Sequence, residues 1–146
     1  MTPKFALKYA ALAAAMLLGG SVVMRLVQGD AGVGREIFSG LVNGRQSVHS
    51  RIDWEHLKAL DVDVGATYTA LPDEQQQEAY RTAFIERFSR GFQSTGASLK
   101  DFSGWRLQER QDDQTIVAVD YPKKQKTLLL AVSDGGTKKL TGIQWQ

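Results

Sequence analysis

The chain contains no cysteine. Thiol catalysis, a disulfide framework and a lipid-bearing cysteine after the leader are therefore excluded, and the core must stand without covalent staples. No G-x-S-x-G elbow, metal-ligand cluster or glycine-rich phosphate loop is present, and neither are internal repeats or low-complexity tracts. The first 29 residues lack any acidic side chain.

That last absence explains the charge. The 146-residue chain carries a formal net charge of +2, which by itself would suggest nucleic acid. Lys4, Lys8 and Arg25, however, all fall in the acid-free start. The 117 residues after it hold 15 basic and 16 acidic side chains, a net of −1. A near-neutral domain has no electrostatic footprint for a phosphate backbone, so no nucleic-acid partner is expected. Hydrophobic residues make up 42% and charged residues 23%, which suits one folded domain and not a disordered chain.

Residues 1–29 read as a signal peptide or a signal-anchor helix. Lys4 and Lys8 form a positive start, and Tyr9 to Met24 carries no charge, the layout of a secretory signal. Val27-Gln28-Gly29 and Gly29-Asp30-Ala31 are two weak small-residue cleavage sites. Counted from Phe5, the mostly apolar run to Met24 spans 20 residues, near the ~20 that a membrane-spanning helix needs. Lys8 can snorkel toward the headgroups. Both readings keep the N-terminus inside and place the rest outside the inner membrane. The domain is thus expected in the periplasm, or facing it from the inner membrane with residues 5–24 as the membrane contact if uncleaved. A buried N-terminal helix is the third reading.

Residues 30–34 are expected as a flexible linker within Gly29–Gly34, and residues 35–146 as a single α+β domain. Ile37, Phe38, Leu41 and Val42 share a helical face until Asn43-Gly44 breaks it. Residues 45–60 are expected to resume a helix with Val48, Ile52, Trp54, Leu57 and Leu60 in the core, or to restart it at an Asp53 cap. Residues 61–71 form a connector with a β-like alternation. Pro72-Asp73-Glu74 opens the clearest helix, with Asp73 and Gln76 as a capping box and Tyr80, Ala83, Phe84, Phe88 and Phe92 on its buried side. Arg81, Glu86, Arg87 and Arg90 point mainly elsewhere. From there the period changes to 2. Gly104–Arg110, Thr115–Tyr121, Thr127–Ser133 and Lys138–Trp145 read as four strands of an antiparallel meander, parted by short turns. N-terminal helices should cover one sheet face, with Val117, Val119 and Tyr121 toward them and Asp120 away.

This order, helices and then a four-stranded meander ending in an aromatic strand, resembles the cone-shaped fold of nuclear transport factor 2, ketosteroid isomerase and the SnoaL-like proteins. The resemblance covers roughly residues 35–146 and implies either an isomerase- or dehydratase-like enzyme or a non-catalytic ligand-binding or assembly domain. One such member is the periplasmic domain of an inner-membrane assembly factor of type IV secretion. A cystatin-like or other α+β sandwich is the alternative fold.

Three constellations invite chemistry. His49, Asp53 and His56 are metal-ligand types, but the histidines lie about 10 Å apart along a helix axis, too wide for one ion. Asp61 and Asp63 near Tyr68 suggest proton transfer, yet both carboxylates sit in a connector facing water; Asp120 likewise reads as an outward strand residue. Trp54, Tyr68, Tyr80, Trp105, Tyr121 and Trp145, with Phe84 and Phe88, either line a pocket for an apolar ligand or form plain core. Lys123, Lys124 and Lys126 crowd one hairpin turn, and Lys138 and Lys139 lie near the other end of the sheet; they solubilise an edge or meet anionic headgroups or a partner's acids. The expectation is a non-enzymatic envelope module that binds an apolar small molecule or an envelope protein, with no cofactor, catalytic residue or metal. The alternative is a small cone-fold enzyme doing acid–base chemistry on an apolar substrate.

Overall fold

A computed structural model describes the backbone from Met16 and the side chains from Gly29 to Gln146. Lys4, Lys8 and the beginning of the apolar run therefore lie outside the described residues, as does the Arg25 side chain. Among the described residues no helix is long and apolar enough to cross a membrane.

Helix α1 runs Met16–Val42 without a break. The segment expected as a linker, 30–34, is helical. Glycine costs a helix roughly 1 kcal/mol relative to alanine, but here tertiary packing overrides the propensity. Ile37, Phe38, Leu41 and Val42 are buried as expected, and Ala31 extends the stripe backward. Gly34 has a positive role: a Cβ there would lie 3.1 Å from Val117 Cγ1, so its absence lets the helix settle onto the sheet. Asp30 is also buried, and it pairs with Arg110 and Lys138.

Past the turn at Gly44, whose φ is +67°, the structure departs from the expected helix over 45–60. A short 3₁₀ turn, Gln46–Arg51, is followed by extended chain in which the Asp53 N–H donates to the Leu140 carbonyl at 2.9 Å. Asp53 therefore starts no helix. Val48, Ile52, Trp54 and Leu57 are buried, but Ile52 makes an isolated bridge to Leu140 and Trp54 lies in the turn closed by the His56 N–H on the Asp53 carbonyl, so they form no helical stripe. Leu60, expected in the core, is 42% exposed.

Strands β1 (Lys58–Ala59) and β2 (Val62–Asp63) form a hairpin, and α2 (Val64–Thr69) follows where alternation suggested extended chain. The Asp63 carboxylate caps α2 by accepting from the Ala66 N–H at 3.0 Å. Helix α3 spans Glu74–Ser94, and Asp73 caps it through the Gln76 N–H at 2.8 Å. Its fully buried positions are Ile85 and Ser89, not the expected aromatic row, which is half-buried. Ser89 Oγ donates to the Val42 carbonyl at 2.7 Å, so a small polar residue fits where α3 meets the end of α1. Arg81, expected to point away, is half-buried with its guanidinium on the Tyr68 hydroxyl.

β3 (Ser103–Arg110), β4 (Gln114–Tyr121), β5 (Lys126–Ser133) and β6 (Leu140–Trp145) form the expected antiparallel succession, with ends shifted by at most two residues. The sheet is larger than four strands, however. It has six, in the order β2-β1-β6-β5-β4-β3, and β1 runs parallel to β6. The α+β class holds, and the antiparallel four-stranded meander is corrected to a six-stranded mixed sheet. The addition has a physical cause: β6 alone would leave a row of unpaired backbone groups. Val117, Val119 and Tyr121 are buried toward the helices, while Asp120 lies half-exposed on the other face.

Candidate functional site

Tyr80, Phe84, Phe88 and Phe92 recur every four residues on α3, so their side chains form a row along one flank. Rings from other elements join both ends of that row. At its start, Trp54 meets Phe84 edge-on at 5.4 Å, and Tyr68 lies 6.1 Å from Tyr80. At its end, Phe92 lies 5.7 Å from Phe102, Phe102 stacks on Tyr121 at 4.6 Å, and Tyr121 adjoins Trp145 at 6.0 Å. Phe38 bridges the middle and also touches Trp105 at 5.9 Å.

The expected ligand-binding residues thus fall in different places rather than around one site. Trp54 and Tyr68 are core: the indole N–H donates to the His49 carbonyl at 3.0 Å, and the Tyr68 hydroxyl accepts from Arg81 at 2.7 Å. Trp105 is half-buried and packs on Phe38. Tyr121 and Trp145 face a groove of about 600 Å³, whose walls also include Leu60, Phe88, Phe92 and Phe102. Tyr80 lines a smaller hollow of about 220 Å³, which shares Arg87 and Phe88 with the groove. Burial raises the Tyr80 phenol above its ordinary pKa.

Two backbone features hold the groove open. Leu60 and Asp61 turn the β1–β2 hairpin with φ of +50° and +70°, the left-handed pattern that Asn-Gly normally supplies. A leucine there costs about 1–2 kcal/mol, and its side chain is spent on the groove wall, not on the core. Gly91, on α3 beside Phe88 and Phe92, also lines the groove, and a Cβ there would meet nothing within 4 Å.

The charged part of the lining is cationic: Arg87, Lys124 and Lys126, with no carboxylate. Lys126 Nζ lies 5.6 Å from the centre of the Trp145 ring. Gln125, at φ +53°, turns the chain between the two lysines. The adjacent Lys123 is engaged elsewhere, 3.1 Å from Asp101, whose carboxyl is held below its usual range by the Ser98 amide and then by Lys123.

The other candidates do not converge. The His56 imidazole lies 3.0 Å from the Asp53 carboxylate, which raises its pKa, while His49 Nδ1 turns to the Gln46 carbonyl at 2.9 Å. Among the described residues no group of three potential metal ligands forms. Asp63 is occupied as a helix cap and Tyr68 by Arg81, so they make no proton-transfer pair. Asp120 receives both Arg106 nitrogens, at 3.0 and 3.1 Å, which with Thr127 lower its pKa. A second hollow of about 630 Å³ lies on the opposite sheet face, with Asp53, His56 and Asp113 around an Ile116–Leu129 floor.

Sequence reasoning placed Leu60 in the core and Arg87 off the site. The one available signal was that Leu60-Asp61 separates two short extended pairs, which a helical reading of 45–60 conceals. No protein-family model, curated protein or solved structure matches the chain.

Proposed function

We propose that residues 35–146 form a non-enzymatic binding module of the cell envelope, which takes an apolar ligand in the groove between α3 and the end of the sheet. The observation that carries this is the placement of exposed apolar surface. The large exposed hydrophobic side chains among the described residues are Leu60, Val62 and Trp145, and two of the three line the groove. Apolar side chains gathered in a concave site are the usual mark of ligand binding. Acid–base catalysis on an apolar substrate needs a carboxylate or comparable group aimed into the cavity, and no carboxylate lines this groove. That favours binding over the isomerase-like alternative. Helices laid on one face of a sheet whose last strand ends in Trp145 support grouping the domain with the cone-shaped folds.

The module is held at the inner membrane through residues 5–24 and faces the periplasm. Two observations favour the uncleaved anchor. Both weak cleavage sites fall within α1, and a cut after Ala31 would remove Asp30, the partner of Arg110 and Lys138. A periplasm-active reporter fused after Gln146 should work and a cytoplasm-active one should not. The reverse pattern sinks the placement.

Gly91→Leu tests the groove. Leucine replaces a helical glycine in open space, so melting temperature should hold or rise, by the equivalent of up to ~1 kcal/mol. The side chain would project into the groove beside Phe88 and Phe92. Photolabelling of the full chain in zwitterionic nanodiscs, with a diazirine-bearing long-chain alcohol, should mark the wild-type α3 and β6 peptides. The variant should lose that mark about tenfold. Equal labelling with the leucine in place refutes the site.

A further inference from the structure

We infer that the groove selects a diffusible amphiphile with a single alkyl chain and an anionic head; this deepens, and rests on, the groove's proposed role as an apolar binding site. The groove and the smaller hollow share Arg87 and Phe88 as walls and lie in succession along α3 from Tyr80 toward Trp145. At about 600 Å³ the main hollow falls in the size range of small-molecule sites, roughly 300–1,000 Å³. One row of aromatic rings accommodates one chain.

The head is specified by charge. Arg87, Lys124 and Lys126 are all exposed, and among the described residues none of them forms an ion pair. The chain beyond residue 29 is net negative by one charge, so three cations with no acid among the groove's residues are a local reversal of the domain's balance. Lys123, next to Lys124 in the chain, is neutralised by Asp101. Other cations, such as Arg90 and Lys100, also lack an ion pair among the described residues, but Arg87, Lys124 and Lys126 are the charged residues that line the groove. A carboxylate or phosphate head would meet them while its chain displaces water from Phe88, Phe92 and Trp145. Exposed like charges gathered beside an apolar site attract the opposite sign over about a Debye length, ~10 Å at 0.1 M salt.

The experiment compares two photoprobes on the full chain in zwitterionic nanodiscs: a diazirine-bearing sixteen-carbon fatty acid and the alcohol of the same chain. Adducts are located by peptide mass spectrometry. The acid should label the α3 and β6 peptides about tenfold more than the alcohol, and the ratio should fall toward one at 1 M salt. In the triple variant Arg87→Gln, Lys124→Gln, Lys126→Gln, the ratio of acid to alcohol labelling should fall to about one with the melting temperature unchanged, and a ratio that stays near tenfold overturns the headgroup assignment. Equal labelling by both probes in the wild type overturns the headgroup assignment and leaves the apolar site standing. No groove labelling by either probe overturns the site itself. Nanodiscs carrying one-fifth phosphatidylglycerol form the last arm. Loss of acid labelling there overturns the diffusible source in favour of a bilayer lipid, and retention supports it.

Discussion

Replacing Ile85 by alanine is expected to cost the domain about 2–5 kcal/mol, and replacing the adjacent Phe84 markedly less, about 1–2 kcal/mol. Ile85 is fully buried, so truncation removes its transfer free energy and leaves a cavity that a close-packed interior fills only in part. Phe84 is half-buried and opens onto the smaller hollow, so part of its ring is already in water and its loss leaves no sealed void. The ordering runs against side-chain size, which makes it diagnostic of how α3 is rotated. Urea unfolding of the full chain measures it through the midpoint, with the slope checking that the two states stay comparable. Ile85→Val, at ~0.5–1.5 kcal/mol, supplies an intermediate point. A larger loss for Phe84→Ala than for Ile85→Ala would mean that α3 turns its aromatic row inward and closes the groove.

How α3 was legible, and how it was not, shows what a single sequence holds. Its limits were readable because they are local chemistry: Asp73 caps the start, and Gly96, at φ +79°, follows the end. Its rotation was not. Four aromatic residues at spacing four outweigh one isoleucine and one serine in any hydrophobic count, yet Ser89 faces inward because the Val42 carbonyl needs a donor there. That need arises from another element and leaves no mark in the helix's own pattern. The strands β3 to β6 were legible because alternation over six to eight residues survives any context. The two-residue strands β1 and β2 are too short to alternate, so the mixed sheet could not be foreseen. Of the groove's aromatic residues, Phe88, Tyr121 and Trp145 are candidates from the sequence and Phe92 and Phe102 are not, and whether each ring is core or wall depends on which elements cover it. Trp54 and Trp145 differ in this respect while looking alike in sequence.

The hairpin that sequence concealed should be the least forgiving part of the fold, and Gly65→Ala is its test. Gly65 opens α2 directly behind that hairpin. A Cβ there would stand 2.2 Å from the Glu55 carbonyl oxygen and 2.7 Å from its carbon, distances that side chains do not reach. Neither side can easily retreat. The Gly65 N–H donates to the Leu57 carbonyl at 3.0 Å, and Val64 next to it is fully buried. Glu55 is held between buried Trp54 and Leu57, and the chain around it is tied to β6 through Asp53 to Leu140 and through Leu60 to Ile143. The obstacle is backbone, so no rotamer change relieves it. An overpacking cost of about 3 kcal/mol is expected, at the upper end of the usual range, which corresponds to a melting temperature lower by about 10 °C or more. Gly91→Ala is the control, because the same methyl group added in open space within a helix should raise stability slightly. The hairpin carries Leu60, so the strained variant should also lose groove labelling at temperatures where it remains folded. A Gly65→Ala protein that melts with the wild type and labels normally would show that α2 does not press on residue 55, and the Leu60 wall of the groove would lose its support.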